Sequence, residues 1–389
     1  MNPARLSLPI HLRHALTTGL VLAALGAGAE DRPFVSGGIT DKPFIGGVSR
    51  TVFGGYMESH FRWERALGLT EELTFELKRF NLFAYAPVSD RLRMAAEIEF
   101  EEGGEEIVIE AALVDFELHS AATFRAGILL SPLGRFNLAH DSPANDLTDR
   151  PLVNTELIGT ALSEAGMGLF GSLSPTAASR VTYEAYLVNG YDEGVVLGDA
   201  AGTRIPAGKK NLEDNNNRPS FVGRLAYSPS PAAEVGAAVH TGPYNVWELD
   251  GLEVDERHNL RLVVLDGDYT WRNIEILGEY ASASIDVPAA SSLLADSQSG
   301  FYVQSNVHFG AGWLPNLPES ILTGVVRYGS VDFDNDADGD SHDRLTLGLN
   351  LRPIEDAAFK LDYQRNWERD GFDNEEKSAA LLFSVATYF

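Results

Sequence analysis

Cysteine is absent from all 389 residues. That excludes thiol catalysis, disulfide-stapled scaffolds, thiolate zinc sites and iron–sulfur clusters. Bases are few: 30 Lys and Arg stand against 56 Asp and Glu, a formal net charge of −26. This balance speaks against nucleic acid as a partner, because phosphate binding needs clustered Lys and Arg. Beyond residue 29 no apolar run approaches the ~18–20 residues of a membrane-spanning helix. Helical stripes at i, i+3, i+4 are scarce as well. Neither G-x-S-x-G nor H-E-x-x-H occurs, and His60, His119, His140, His240, His258, His308 and His342 are scattered without metal-ligand spacing. Gly166-Met167-Gly168-Leu169-Phe170-Gly171 spells a dinucleotide fingerprint, but it follows a loop, so a tightly packed strand explains it better. We read no enzyme here. A hydrolase whose catalytic residues are brought together from distant parts of the chain is an alternative reading.

What is present begins with an address. Arg5 and Arg13 precede an apolar run from Ala15, and Ala27-Gly28-Ala29 precedes Glu30-Asp31. A basic head, a short apolar core and a small-residue cleavage site describe an export signal over 1–29. Residues 30–50 repeat a short piece, Arg32-Pro33-Phe34-Val35 and Lys42-Pro43-Phe44-Ile45, and read as a linker whose role the sequence leaves open.

From residue 51 to 389 the pattern has period two. Leu345, Leu347, Leu349 and Leu351 face one way; Arg344, Thr346, Gly348, Asn350 and Arg352 face the other. Phe301, Val303, Val307 and Phe309 oppose Tyr302, Gln304, Asn306 and His308, and Met94, Ile98 and Phe100 oppose Arg93, Glu97, Glu99 and Glu101. A soluble sandwich also shows one apolar face, so length decides. These segments run to roughly 10–14 residues, against ~5–6 in ordinary sheets and the ~9–11 that cross a bilayer at a tilt. The second face carries polar groups along its length, as a wet lumen requires. In a bilayer every backbone group must be paired, so the strands must close.

The predicted fold is therefore all-β, a transmembrane antiparallel barrel of about sixteen strands with long outer loops. The segments are 51–64, 71–86, 89–102, 105–118, 122–131, 163–173, 179–191, 218–229, 231–242, 257–268, 270–285, 298–314, 319–333, 341–353, 355–368 and 376–389. Those near 71–86 and 105–118 change face midway, which predicts bulges. Every second connection is short. The others are mostly long and acidic, at 132–162, 192–217, 243–256, 286–297, 334–341 and 369–375. Trp63, Tyr85, Phe124, Tyr227, Trp271, Trp313, Tyr363 and Trp367 near strand ends are girdle candidates. Leu381, Phe383, Val385 and the terminal Phe389 share one face. That ending resembles the signal by which the barrel assembly machinery recognises its substrates.

The stretch 52–173 resembles the porin family typified by the phosphate-selective O and P porins. The resemblance is carried by Gly54-Gly55-Tyr56-Met57-Glu58-Ser59-His60-Phe61, Lys78-Arg79-Phe80-Asn81-Leu82-Phe83, Ala96-Glu97-Ile98-Glu99-Phe100 and Phe124-Arg125-Ala126-Gly127-Ile128-Leu129-Leu130-Ser131-Pro132-Leu133-Gly134. Arg150-Pro151-Leu152-Val153 and Glu164-Ala165-Gly166-Met167-Gly168-Leu169-Phe170-Gly171 complete it. About a third of the chain is covered, and the order of the pieces is more specific than any one of them. It implies a sixteen-stranded porin, a homotrimer passing small hydrophilic solutes. Phosphate selectivity does not carry over, because the expected lumen mixes signs. Its bases are Lys78, Arg91, Arg93, Arg180, Arg224, Arg344, Arg352 and Lys360; its acids are Glu76, Glu97, Glu99, Glu101, Glu184, Glu234, Glu275, Glu279 and Asp362.

The longest connection, 132–162, is the constriction candidate. If it folds inward, Asp141, Asp146, Asp149 and Glu156 face Arg91, Arg93 and Arg125 across a gap, and the opposed charges order water and admit polar solutes. The alternative is a loop over the outer mouth with its charges solvated. In the loop Asp334, Asp336, Asp338, Gly339 and Asp340 match the start of a calcium loop. The bidentate Glu is missing, since that position is Leu345, so a solvated acidic tip competes with Ca²⁺ binding or with a divalent bridge to lipopolysaccharide. The functional reading is an outer-membrane porin for passive diffusion with a weak cation preference. The alternative is a plugged barrel used for binding or adhesion through its acidic loops.

Overall fold

Long alternating strands leave unpaired edges unless the sheet closes, and here it closes. The computed structural model describes residues 51–209, 212–288 and 294–389. The export signal at 1–29 and the linker at 30–50 lie outside the described residues. The strands are β1 Val52–Ala66, β2 Leu69–Pro87, β3 Leu92–Glu101, β4 Glu106–His119, β5 Ala122–Leu130, β6 Ser163–Thr176, β7 Ser179–Val188, β8 Ser220–Ser230 and β9 Ala233–Pro243. They continue with β12 Asn259–Trp271, β13 Ile274–Ile285, β14 Ser297–Phe309, β15 Ile321–Asp332, β16 Ser341–Ile354, β17 Ala357–Arg369 and β18 Glu375–Tyr388. Two short strands, β10 Glu248–Leu249 and β11 Leu252–Glu253, form a separate hairpin in the loop after β9.

The sixteen long strands make one closed antiparallel barrel. Each pairs with its sequence neighbour, β9 pairs with β12, and β18 returns to β1 with Tyr56 opposite Tyr388. At the seam the terminal residue extends the ladder: Phe389 N donates to Gly55 O at 3.1 Å, and Gly55 N to Phe389 O at 3.2 Å. Gly55 lies so close to Asn81 and Phe389 that a side chain there has no room.

Both predicted bulges exist. Between β1 and β2, Glu58 faces Arg79 and Ser59 faces Leu77, which leaves Lys78 as the extra residue. Between β3 and β4, Glu97 faces Ala111 and Ile98 faces Ile109, which leaves Glu110. Each extra residue flips the alternation. Leu73, Phe75 and Leu77 point out, whereas Arg79, Asn81 and Phe83 point in. The same flip turns Tyr85 into the lumen, so it is no girdle residue, while Trp63, Tyr227, Trp271, Trp313 and Tyr363 are exposed.

The outer face is apolar over most of its strands: Phe301, Val303, Leu347, Leu349, Leu361, Leu381 and Phe383 are all exposed. Water does not tolerate an apolar belt of this extent, and lipid does. Several expected strands overrun the observed ones, β14 the most. β14 ends at Phe309, not near 314, because Gly310 and Gly312 adopt φ of 64° and 68° and turn the chain.

The inner face departs from a uniformly polar wall. Tyr186, Val188, Val222, Leu260, Leu262, Val264, Ala281, Ala283, Ile285 and Val331 are buried inside, packed with loop residues Leu152, Val153, Leu157, Ile158, Tyr191, Val195 and Ile205. Inward-folded loops bring apolar side chains into the bore, and an apolar wall is what they bury against.

Candidate functional site

The connection after β5 enters the lumen because β5 stops early. β5 has only nine residues, and the loop leaves from Ser131. A neck ties its two ends together. Ser131 N donates to Leu162 O at 2.9 Å, and the Asn137 amide donates to Ser131 O at 2.7 Å and Leu162 O at 3.1 Å. The Ser131 hydroxyl also donates to Glu164 at 2.6 Å, which in turn contacts His240 at 3.0 Å. A helical turn at Arg135–Leu138 follows. Its Phe136 N–H donates to Glu279 at 2.6 Å, the Asn154 amide donates to the other Glu279 oxygen at 2.7 Å, and Arg135 pairs with Asp268.

The arm beyond runs across the barrel. β15 and β16 lie diametrically opposite β5 and β6 in the ring, and the loop reaches them. Tyr388 donates to Asp141 at 2.8 Å, Lys360 donates to Ser142 O at 2.7 Å, and Ser142 hydrogen-bonds Glu58. Asp146 accepts from Asn306 at 2.8 Å, Asn350 at 3.1 Å and Arg352 at 3.2 Å. Thr148 N donates to Asp362 at 2.6 Å. Both oxygens of Asp149 accept from the one nitrogen Nη2 of Arg62, at 2.7 and 2.8 Å, with Arg344 at 3.8 Å and Arg327 on its carbonyl. Glu156 pairs with His342 at 2.9 Å. Burial alone pushes the Asp149 carboxyl up, but Arg62 and Arg344 outweigh it and hold the group at about 2. Asp149 and Arg62 keep 15% and 20% of their side chains exposed, so this pair borders water.

The four loop acids thus meet the wall, but not at the bases expected. Arg91 sits exposed in the turn before β3. Arg93 pairs with Glu117 at 2.8 Å on the neighbouring strand. Arg125 forks onto Asp115 at 2.8 and 2.9 Å and lies 4.2 Å over the Phe170 ring. None of the three is brought to the loop acids. Their partners are Arg62, Arg327, Arg344, Arg352 and His342. Arg344 and Arg352 were legible as lumen residues. Arg62 is not among the expected bases, although Glu58, His60, Arg62 and Glu64 alternate along β1 and mark the inner face.

The loop between β7 and β8 also turns inward and reaches the acidic hairpin after β15. Arg204 forks onto Asp340 at 2.6 and 3.2 Å and lies 4.1 Å over Phe333. Asp340 is therefore given to an arginine, and Asp334 caps the Asp336 N–H at 3.1 Å. Among the described residues no three Asp, Glu or His side chains converge as a metal ion would require. Gly166 to Gly171 lies within β6, a barrel strand.

No family model matches the chain. A curated relative, an uncharacterized protein of Aquifex aeolicus (strain VF5), is 25% identical over 350 residues, spanning 79% of this chain and 74% of its own. The solved outer membrane channel DcaP of Acinetobacter baumannii aligns with a TM-score of 0.59 at 13% identity, covering 87% of this chain and 97% of that one. The anion-selective porin from Comamonas acidovorans aligns at 0.58 and 11% identity, covering 87% and 99%. OmpT of Vibrio cholerae in its trimer form aligns at 0.54 and 11% identity, covering 88% and 100%. At such identities the likeness is one of fold: a closed, porin-like barrel of sixteen antiparallel strands.

Proposed function

We propose that this chain is an outer-membrane porin through which small hydrophilic solutes and ions diffuse passively. One observation carries the reading: a closed barrel crossed by an anchored loop, whose Asp149 stands between Arg62 and Arg344 at the edge of water. Opposed fixed charges across a narrow wet gap orient water and favour polar solutes over apolar ones. The acid surplus of the outer loops supports a weak cation preference at the mouth. We take the early strands as akin to the phosphate-selective O and P porins in build, without their selectivity. The same reading makes 1–29 an export signal, Phe389 the mark read by the assembly machinery, lipopolysaccharide the outer neighbour and a homotrimer the assembly. It assigns no enzymatic role.

A plugged barrel serving adhesion is the second reading. It is favoured by the spread of the loop's anchors, which touch β1, β4 and β12 through β18. Planar bilayers separate the two. The porin reading expects discrete current steps and a reversal potential of cation-selective sign in a salt gradient. Folded protein that inserts without steps establishes the plug instead.

A further inference from the structure

Arg150 and Lys209 arrive on different loops and between them contact three consecutive carbonyls, Arg150 the middle one and Lys209 the two that flank it. Arg150 Nη1 donates to Thr160 O at 3.0 Å. Lys209 Nζ lies 3.4 Å from Gly159 O and 3.5 Å from Ala161 O. Like charges held this close repel unless an anion joins them. Yet among the described residues neither cation has a carboxylate within ion-pair distance, and Arg150 Nε and Nη2 are buried without any hydrogen-bond partner. Desolvation, and then its neighbour Arg150, pull the Lys209 ammonium below the usual lysine range.

The vacant edge of Arg150 has two filled counterparts in the same barrel. Arg125 uses Nε and Nη2 to hold both oxygens of Asp115 at 2.8 and 2.9 Å. Arg224 uses the same two atoms on Asp266 at 3.1 and 2.5 Å. This edge matches a planar carboxylate in spacing and direction. We propose, building on the porin reading, that Arg150 and Lys209 form a docking site for the carboxylate of a small solute on its way through the barrel. The guanidinium edge takes both oxygens and the ammonium adds the second charge. The edge is shut to solvent here. Solute access requires a neighbour to move, and we assign this movement to Lys209, whose residue is exposed and whose contacts are long.

The surroundings set the charge that is welcome. Arg79 acts against Arg150, Glu99 and Glu110 act with it, and Glu101, Glu99 and Glu106 act on Lys209. The buried Tyr56 hydroxyl, which also acts on Arg150, has no partner. Carboxylates nearby oppose a multiply charged anion such as phosphate and suit a single carboxylate, with or without an amino group beside it.

The test uses the full chain in planar bilayers, with KCl current read against added acetate, glycine or phosphate. Each variant is normalised to its own KCl current. Saturable reduction by acetate, glycine or both is expected, with half-saturation raised at least five-fold in Arg150→Gln and in Lys209→Gln. Arg150→Lys keeps the charge but lacks the fork, so it should behave like Arg150→Gln. Acetate alone acting identifies simple organic acids; tighter action by glycine identifies amino acids. Equal half-saturation in wild type and variants, no effect of either carboxylate, or tighter action by phosphate overturns the proposal. A chain that gives no KCl steps fails the porin reading separately. Titration calorimetry of detergent-solubilised protein with acetate and glycine then decides the site: heat lost in both Gln variants supports it, and unchanged or absent heat overturns it.

Discussion

Asp149, on the inward loop, and Arg62, on the first strand, form an ion pair in which one guanidinium nitrogen reaches both carboxylate oxygens, at 2.7 and 2.8 Å, across 87 residues of sequence. The pair joins the loop to the barrel seam rather than to the strands that flank the loop. Its pH response follows from the depressed carboxyl. A group held at about 2 rather than 3.8 contributes stability that is fully present above pH ~4 and is lost as pH falls through 2. The contribution is about 2 kcal/mol by linkage, an order-of-magnitude figure for a pair that borders water. Limited proteolysis of the loop should stay flat from pH 7 to 4 and rise only below that. A rise already at pH 6 would contradict this assignment.

Neutralising two loop acids tests the field they help to set. Asp146→Asn with Asp149→Asn leaves Arg344 and Arg352 without their carboxylate partners and leaves Arg62 only Glu64 at 3.5 Å and Glu72 at 3.7 Å. The reversal potential should shift toward anions, and single-channel conductance should change. Unchanged conductance and selectivity would remove this loop from the conduction path.

Gly348 is the point where the loop beds into the far wall. A Cβ there would overlap the Leu147 side chain and sit 2.6 Å from Asp362 Oδ1. Gly348→Val should therefore displace the arm at a cost of about 1–3 kcal/mol. Larger or noisier current steps, with the barrel still resistant to detergent, are expected. Steps identical to wild type would show that the arm does not bound the pore.

The terminal Phe389 contributes both backbone and ring to closure, since its ring stacks on Phe80 at 5.8 Å and 11°. Deleting Phe389 removes both and should slow folding into detergent micelles several-fold, read by the heat-modifiable shift on gels. Phe389→Ala keeps the two bonds to Gly55 and should fall between. Equal folding of all three would reduce Phe389 to a residue of no structural weight.

The strand plan was open to reading because period two is a local property. Leu345 to Leu351 sort themselves inside and out within seven residues, and a bulge shows as a break in that order, as it does near Lys78. Places where the rule failed have local causes too. β14 stops at paired glycines with positive φ, and Tyr85 turns inward downstream of a bulge. The apolar inner wall at Leu260, Leu262 and Val264 was harder to foresee, because its reason lies in loops far along the chain.

The sequence by itself determined the number and approximate length of the strands, the closure they require and the longest connection as the one to cross the bore. These follow from hydrogen-bond pairing in lipid and from side-chain alternation. Only the tertiary structure decided that Asp149 meets Arg62 and Asp146 meets Arg352, rather than Arg91, Arg93 or Arg125. Alternation says which face a residue occupies. How high it sits, and which part of the ring lies opposite, depends on closure and on the path of the loop, and no local pattern carries that information.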